Sequence, residues 1–402
     1  MGRSGGHGEA RGRRSGLLRN LRESKPVTYV ELYFDLVFVF ALFRVTQSLL
    51  EGLTWINAYR VLIMLLAVWS VWLYTNLLTD SLEPRTIRLQ LLVIGSMFGA
   101  LLMAAAIPEA YTRRGLLFAV VYVAVNLGRG VIVAFALRHD DLGLRPLRAA
   151  FWFAVSAVPW LAGAKVEGDA RLALWSVAIA IDYASALLRW PTPGIGSTPP
   201  ELLNLASEHF AERYRQLVII ALGEAVVAVG TNLHDRDFSL RRGTAFTVSF
   251  ATAGLLFWIY FHRVREKLGP VFSGAPDPGV RNREAGLAHL LMVIGLVAVS
   301  ASSELVIMEP TKAAPLSWVA TIIAGPAFFL AGHALLGRRV FAGVAAPRLI
   351  GVGVLIAAVP VLVGLPVLVG TGVVATVLIA IVGWDLTYSG VKPGDQGLPQ
   401  RV

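Results

Sequence analysis

The chain contains no cysteine among its 402 residues, and only 15% of its residues are charged. The absence of cysteine excludes disulfides, thiolate metal ligands and a cysteine nucleophile. A soluble protein would carry charges at roughly 25% of its positions. Here 56% of the residues are hydrophobic, and long uncharged runs recur between residues 28 and 388. The composition therefore indicates a helical protein that crosses a membrane many times.

Several motifs of known chemistry are also missing from the sequence. There is no Gly-x-x-x-x-Gly-Lys-Ser/Thr loop for nucleotide phosphates and no Gly-x-Ser-x-Gly nucleophile elbow. Histidines are not paired at ligand spacing, and basic residues do not alternate with aromatic ones. We therefore expect no cofactor, no metal and no nucleic-acid partner. The expected partners are the lipid bilayer and a small solute or ion of unknown identity, and the oligomeric state is left open.

Hydropathy predicts an all-α, polytopic transmembrane helical bundle with about twelve spans. The last two predicted spans are separated only by Gly364, Leu365 and Pro366. If that short segment is not a turn, the number of spans becomes eleven. The predicted spans are residues 28–50, 56–78, 87–107, 115–137, 149–165, 171–190, 213–232, 244–262, 286–308, 315–336, 348–364 and 367–387.

The charges and loops predict how the chain is divided and oriented. The divisions are a disordered basic tail (1–26), a first six-helix half (27–190), a linker (191–211), a second six-helix half (212–388) and a C-terminal tail (389–402). Arginine and lysine are concentrated in the tails and in the loops on the same side as the tails. Since cytoplasmic loops carry the excess of basic residues, both termini are predicted to be cytoplasmic.

A short internal repeat supports the two halves. The segment Glu31-Leu-Tyr-Phe-Asp-Leu-Val37 is similar to Glu212-Arg-Tyr-Arg-Gln-Leu-Val218, at an offset of 181 residues. Both segments begin a predicted span after a polar stretch. Because six spans separate them, the two halves would have the same orientation, as in transporters built from parallel repeats. The sequence therefore predicts two parallel six-helix pseudo-repeats.

The same segments resemble a known family. VELYFDLVFVFAL (residues 30–42) and ERYRQLVIIALGEAVVAVG (residues 212–230) are similar to blocks of the bacterial low temperature requirement A family. A third block, His289 to Gly295 with Glu304 downstream, also resembles that family. The resemblance implies a multi-pass protein of the bacterial inner (plasma) membrane, linked by name to growth in the cold, and it implies no established activity. Phe43 and Arg44 depart from the small and polar residues that usually follow the first block.

Buried charges are the candidates for chemistry. Glu31 and Asp35 are spaced to lie on one face of the first span, and a charge at membrane depth is costly unless it is paired or used. Arg129 and Asp182 are predicted to lie at the depth of Asp35, so we expect Arg129 to bridge the two aspartates. This network would be either a static ionic clamp or a proton or ion relay.

Glu224 is the deepest acid in the predicted spans, and a carboxyl group that gains and loses its charge near the midplane is a usual coupling element in transport. The alternative for Glu224 is a neutral carboxyl hydrogen-bonded for structure. Secondary candidates are Arg44 and Glu304, as an outer salt-bridge gate, and His289. A single membrane histidine more often has a structural hydrogen bond.

The preferred interpretation is a secondary transporter or permease-like carrier coupled to protons or ions. In it, Asp35 and Glu224 titrate, Arg129 and Asp182 adjust Asp35, and Glu31 forms the cytoplasmic lip. One alternative is a membrane-embedded enzyme acting on a lipid or isoprenoid, with His209, His289 and Glu31 at the inner interface. The other is a non-catalytic scaffold or stress-tolerance factor. Enzyme activity is the less expected outcome.

Overall fold

The protein is described from a computed structural model, which covers residues 28–82, 86–138, 143–199, 207–234, 239–264, 278–340 and 345–388. The predicted tails (1–26 and 389–402) and residues 200–206 of the predicted linker lie outside these described residues. Within them the chain is all-helical, with twelve helices that are long and apolar enough to cross a membrane. The predicted all-α bundle and its twelve spans are confirmed.

The helices are numbered α1 to α12 in chain order. A short 3₁₀ turn, Ile107–Glu109, follows α3. The helices are α1 Tyr29–Leu50, α2 Trp55–Ser81, α3 Ile87–Ala106, α4 Gly115–Ala136, α5 Leu144–Ala164, α6 Gly168–Leu187, α7 Ser207–His234, α8 Leu240–Val264, α9 Pro278–Met308, α10 Leu316–Val340, α11 Ala345–Leu362 and α12 Val367–Tyr388.

Local sequence explains where the first two helices begin. Thr28 precedes α1, and its backbone N–H donates to the Glu31 carboxylate at 2.8 Å. This is the Thr-x-x-Glu capping box, in which the third helical residue satisfies an otherwise free N–H group. Thr54 precedes α2, and its hydroxyl accepts a hydrogen bond from the N–H of Asn57 at 3.2 Å. Both helices therefore begin at residues that satisfy the free backbone donors of a helix N-terminus.

Helices α1, α7 and α9 meet in the interior of the bundle. Asp35 on α1 contacts Arg213 on α7, and Glu31 contacts His209, so both contacts link residues 178 positions apart. A constant offset between contacting residues means that α1 and α7 run parallel. The spans of α9 and α2 are the most buried, at 83% and 72%, whereas α11 is only 28% buried. The centre of the bundle is therefore built around α9, α2 and the parallel pair α1 and α7.

The membrane-facing surface is apolar. Large exposed hydrophobic side chains occur along the outer helices, for example Phe98 on α3, Ile132 and Phe135 on α4, and Ile350 and Val361 on α11. Exposure of side chains of this kind fits a surface that contacts lipid acyl chains rather than water. The faces that these helices turn inward carry the polar residues described below.

A tight turn joins α11 and α12 into a hairpin, as predicted. Gly364 has a φ angle of +82°, which glycine adopts without steric cost. Its N–H donates to the carbonyl of Ala314 at 2.9 Å, and the N–H of Ala314 donates to the carbonyl of Leu365 at 2.8 Å. The α9–α10 loop therefore clamps the turn, and the alternative of eleven spans is wrong.

Corresponding helix pairs pack together in the two halves. In the first half α1 packs on α2 and α3, α2 on α6, and α3 to α6 pack in succession. In the second half α7 packs on α8 and α9, α8 on α12, and α9 to α12 pack in succession. The α9–α10 interface is especially close, because Gly295, Gly325 and Gly332 bring the two backbones together.

Candidate functional site

Glu31 joins the N-terminus of α1 to α7. One carboxylate oxygen accepts from the backbone and the hydroxyl of Thr28, both at 2.8 Å. The other oxygen lies 3.1 Å from Nε2 of His209. His209 also faces Asp80 near the end of α2, with Nδ1 3.3 Å from the carboxylate. Glu31, the predicted cytoplasmic lip, is therefore a buried capping residue that also links two helices.

Asp35 pairs with Arg213, one turn deeper along the same two helices. The Nη1 and Nη2 atoms of Arg213 donate to the two oxygens of Asp35, each at 2.8 Å. Nε of Arg213 donates to the side-chain oxygen of Asn76 at 2.7 Å, and Nη1 also donates to Gln216 at 3.0 Å. Both charged side chains are fully buried. A bidentate pair with further acceptors is the arrangement in which a buried charge is best tolerated.

Aromatic packing fixes the orientation of Asp35. Nε1 of Trp72 donates to Asp35 Oδ1 at 3.1 Å. The Trp72 ring packs between Trp69, at 5.4 Å, and Tyr214, at 5.7 Å between ring centroids. Tyr214 in turn stacks on His289 at 4.1 Å. Since these rings are buried and contact one another, the carboxylate of Asp35 is held by α2, α7 and α9 together. We call Glu31, Asp35, Asp80, His209 and Arg213 the proximal ionic cluster.

The predicted bridge from Arg129 to Asp35 and Asp182 is wrong. Nη1 of Arg129 donates to the carbonyl of Val71 and to the hydroxyl of Thr75, and Nη2 donates to Asn126. The prediction placed the three residues at one depth but could not see which helix faces meet. Arg213, the first residue of the predicted seventh span (213–232), pairs with Asp35 in place of Arg129.

Asp182 belongs to a separate network between α4, α5 and α6, in which its hydrogen-bond donors are neutral. Its Oδ2 accepts from the Tyr122 hydroxyl at 2.7 Å and from Nε1 of Trp160 at 3.3 Å. The hydroxyl of Ser70 donates to Tyr122 at 3.1 Å and extends the network to α2. Asp182 therefore stabilises the first half of the bundle and does not contact Asp35.

Glu224 lies on α7 in a second polar region. Its carboxyl group accepts from the Ser300 hydroxyl of α9 at 2.9 Å, and the side chain is 1% exposed. The buried hydroxyl of Thr46 on α1 is close to the same carboxyl group. At 1.5 Å per residue, Glu224 is about 22 Å along the helix from His209 and about 10 Å from Thr231. Glu224 therefore lies past the middle of the span, in the half of the membrane that is far from the N-terminus of α1. The sequence had predicted a position near the midplane.

Glu304 and Gln47 continue this region toward the far membrane face. Nε2 of Gln47 donates to Glu304 at 3.0 Å, and both side chains are partly exposed. The expected salt-bridge gate between Arg44 and Glu304 is wrong, because Gln47 and not Arg44 is the partner of Glu304. We call Thr46, Gln47, Glu224, Ser300 and Glu304 the distal polar cluster.

His289 has both ring nitrogens engaged. Nδ1 lies 2.7 Å from the carbonyl of Ala285, which can only accept, so Nδ1 carries the hydrogen. Nε2 then accepts from the Tyr260 hydroxyl at 2.9 Å. His289 is therefore a neutral imidazole with hydrogen bonds at both nitrogens, as expected for a histidine with a structural role. Within the described part of the chain, no three His, Asp or Glu side chains converge in a way that could hold a metal ion.

The sequence interpretation missed a second buried ion pair. Arg348 of α11 binds the carboxylate of Asp385 of α12 through two hydrogen bonds, one of 2.6 Å, and both side chains are fully buried. Arg148 is also buried, and it donates to the carbonyls of Ile195 and Gly196. Aspartates and arginines near span ends were the available signal for these pairs.

Most of the chain is similar in sequence to known bacterial proteins. Residues 26–383 match the family described as bacterial low temperature requirement A protein (LtrA). The chain belongs to the LtrA family. An uncharacterized protein of Rhizobium meliloti (strain 1021) is 31% identical over 321 residues, which cover 79% of this chain and 78% of that protein. No solved structure matches the chain.

The three blocks that carry the LtrA resemblance come together in space. The first supplies Glu31 and Asp35 on α1, the second supplies Arg213 and Glu224 on α7, and the third lies on α9 with His289. These three helices carry most of the polar side chains of the proximal and distal clusters, and Asp80 of α2 completes the proximal one. The candidate site is therefore built mainly on the helices that carry the three blocks.

Proposed function

We propose that this LtrA-family protein is a secondary carrier coupled to protons or another ion, with a small solute as its substrate. The observation that carries the proposal is Glu224, a buried acid whose hydrogen-bond donor is the neutral hydroxyl of Ser300. A carboxyl group inside a membrane bundle without a cationic partner is able to exist as the neutral acid and to exchange a proton. Asp35, in contrast, forms an ion pair with Arg213.

The two clusters differ in their access, as expected for one state of an alternating-access carrier. The distal polar cluster leads from Glu224 to the partly exposed Gln47 and Glu304. Toward the other face, an apolar layer separates Glu224 from the proximal ionic cluster. The buried residues of this layer are Phe38, Ala41, Leu42, Leu217, Val218 and Ala221. Glu224 would therefore exchange protons with the distal face in this conformation, and opening of the proximal cluster would expose it to the other face.

We further propose that the bundle consists of two parallel six-helix pseudo-repeats. The matching helix pairs of the two halves support this arrangement, as does the similarity of residues 31–37 to residues 212–218. Asp35 and Gln216 are aligned by that similarity, and both accept from Nη1 of Arg213. Arg213 therefore joins the two halves through Asp35. In a carrier whose halves move against each other, this ion pair would have to separate and re-form.

The orientation is also a proposal. The excess of basic residues in the tails and in the loops on the same side places both termini in the cytoplasm and the protein in the bacterial inner membrane. The proximal ionic cluster would then be the cytoplasmic closure, and Glu224 would face the outside in this conformation. Labelling of single cysteines introduced into this cysteine-free chain, for example at Glu309 and Arg189, tests which face each loop occupies.

Replacing Glu224 with glutamine is expected to reduce pH-gradient-driven flux in proteoliposomes at least tenfold, or about 1.4 kcal/mol. Glutamine preserves the size and the acceptor for Ser300 but does not bind or release a proton. The measurement compares uptake across a panel of radiolabelled solutes, with an imposed pH gradient and with a matched sodium gradient. The accompanying pH change inside the vesicles is followed with a trapped dye.

The matched control is Glu309→Gln, the same chemical change at an exposed position just after α9. This variant should behave as wild type. If no solute moves in response to either gradient, or if Glu224→Gln transports as well as wild type, the carrier proposal is wrong. A variant that elutes as an aggregate on size exclusion is replaced by Glu224→Asp, which should keep coupling at a reduced rate.

The second candidate function is a non-catalytic membrane scaffold. The observation that favours it is that two pairs of buried ions, Asp35–Arg213 and Arg348–Asp385, are matched one to one. Such pairs fit helices that are held together permanently. The flux experiment separates the two functions, because a scaffold supports no gradient-driven movement while remaining folded.

A further inference from the structure

A pocket opens between α2, α4 and α5, away from both clusters. Its volume is about 100 Å³. The pocket lies toward the membrane face where α1 begins, because α2 and α4 end there and α5 starts there. Most of its lining is apolar, including Leu78, Leu82, Val133 and Phe153.

The polar end of the pocket is formed by Arg129 and Asn126. Arg129 is 5% exposed. Its protein acceptors are the Val71 carbonyl, the Thr75 hydroxyl at 2.8 Å and the Asn126 side-chain oxygen at 2.7 Å. These three bonds use three of the five N–H groups of a guanidinium, so Nε and one hydrogen of Nη2 are left for a ligand.

Among the described residues, Arg129 forms no ion pair with a carboxylate. The groups to which its guanidinium donates are neutral, and the Tyr74 ring lies 5.6 Å away. Arg145 also lines the pocket, and it interacts with Asp80. A buried cation surrounded by neutral groups is costly at membrane depth, whereas a bound anion would compensate the charge.

We propose that this pocket binds an organic anion that carries one carboxylate or phosphate on an apolar body. The anionic group would accept from Nε and Nη2 of Arg129, in the paired geometry that guanidinium favours for oxyanions. The apolar body would lie against Leu78, Leu82 and Val133. The pocket is separate from Glu224, so the inference holds or fails independently of the carrier proposal.

The test uses the purified full-length protein in a non-ionic detergent and radiolabelled octanoate as the probe. Scintillation-proximity binding should be saturable and displaced by unlabelled octanoate but not by octanamide, which has the same chain and no charge. Arg129→Gln should weaken octanoate binding by about tenfold or more, because a charge-assisted bidentate contact is lost. Equal displacement by octanamide, or the absence of saturable binding, overturns the proposal.

A second variant keeps the test decisive if Arg129→Gln does not fold. Ala149→Phe fills the pocket from α5 and leaves Arg129 in place. Ala154→Phe adds the same ring at an exposed position of the same helix and is the matched control. Ala149→Phe should lose binding and Ala154→Phe should retain it. Unchanged octanoate binding by folded Ala149→Phe contradicts the assigned pocket.

The source of the anion is decided by a lipid competition in mixed micelles. Displacement of octanoate by phosphatidylglycerol but not by phosphatidylcholine identifies a membrane lipid as the occupant. Octanoate binding that resists both lipids identifies a free acid. Either result supports the anion site. The lipid competition is interpreted only if Arg129→Gln has first been shown to weaken octanoate binding.

Discussion

Replacing Arg213 with methionine is expected to destabilise the protein by about 3–5 kcal/mol, the cost of breaking a buried ion pair from one side. The substitution keeps an apolar stem of similar length but leaves the Asp35 carboxylate in the bundle interior with the single donor of Trp72. Asn76 and Gln216 also lose their donor. The measurement is the free energy of unfolding in mixed micelles, from SDS titration followed by circular dichroism.

The matched control is Arg215→Met, two residues along the same helix. Arg215 pairs with the half-exposed Glu212, and a pair of that kind contributes about 0–1 kcal/mol. The double variant Arg213→Met with Asp35→Leu should recover most of the lost stability, because no charge is then left unpaired. If Arg213→Met is as stable as Arg215→Met, the buried pair does not hold α1 to α7.

Replacing Gly332 with leucine is expected to cost about 3 kcal/mol, at the upper end for overpacking a well-packed interior. A Cβ atom at Gly332 would lie 2.4 Å from the backbone carbonyl oxygen of Ala288. The obstructing atom belongs to the α9 backbone and not to a flexible side chain, so α9 and α10 must move apart. Small residues at such a crossing are what allow two membrane helices to approach closely.

Gly353→Leu serves as the comparison, since Gly353 lies on the exposed face of α11 and a Cβ there meets nothing within 4 Å. Both variants replace a glycine inside a helix with leucine, so the effect on helix propensity is the same in each. The difference between their unfolding free energies therefore reports the α9–α10 contact. Thermal midpoints in detergent, measured by size exclusion after heating, provide an independent reading. Equal midpoints for the two variants would show that the interface relaxes without cost.

The sequence predicted the positions of the buried acids well but not their partners. The spacing of Glu31 and Asp35 predicted one shared face, and both carboxylates do face α7. Arg129 was chosen as the partner because its depth matched. Depth follows from position along a span, whereas pairing depends on how each helix is rotated and which helix is its neighbour. Those two properties are set by packing between distant segments.

Arg213 shows the same limit from the other side. It stands in a polar stretch before a hydrophobic run, a position typical of a loop cation. In the structure α7 begins at Ser207, six residues earlier, so Arg213 lies inside the helix and inside the bundle. The one available signal was its place in the second family block, beside Gln216. The capping role of Glu31 was readable from Thr28 and the Thr-x-x-Glu pattern.

The sequence alone determined an all-helical protein with about twelve membrane spans and its membership in the LtrA family. Run length and apolar content decide whether a segment crosses a bilayer, and both are local properties. Only the tertiary structure decided that Asp35 meets Arg213, that Glu224 meets Ser300, and that Arg129 faces a pocket instead of an acid. The reason is physical: a hydrophobic run fixes how a helix sits in the membrane, but the rotation and neighbours of that helix follow from side-chain packing across the whole bundle.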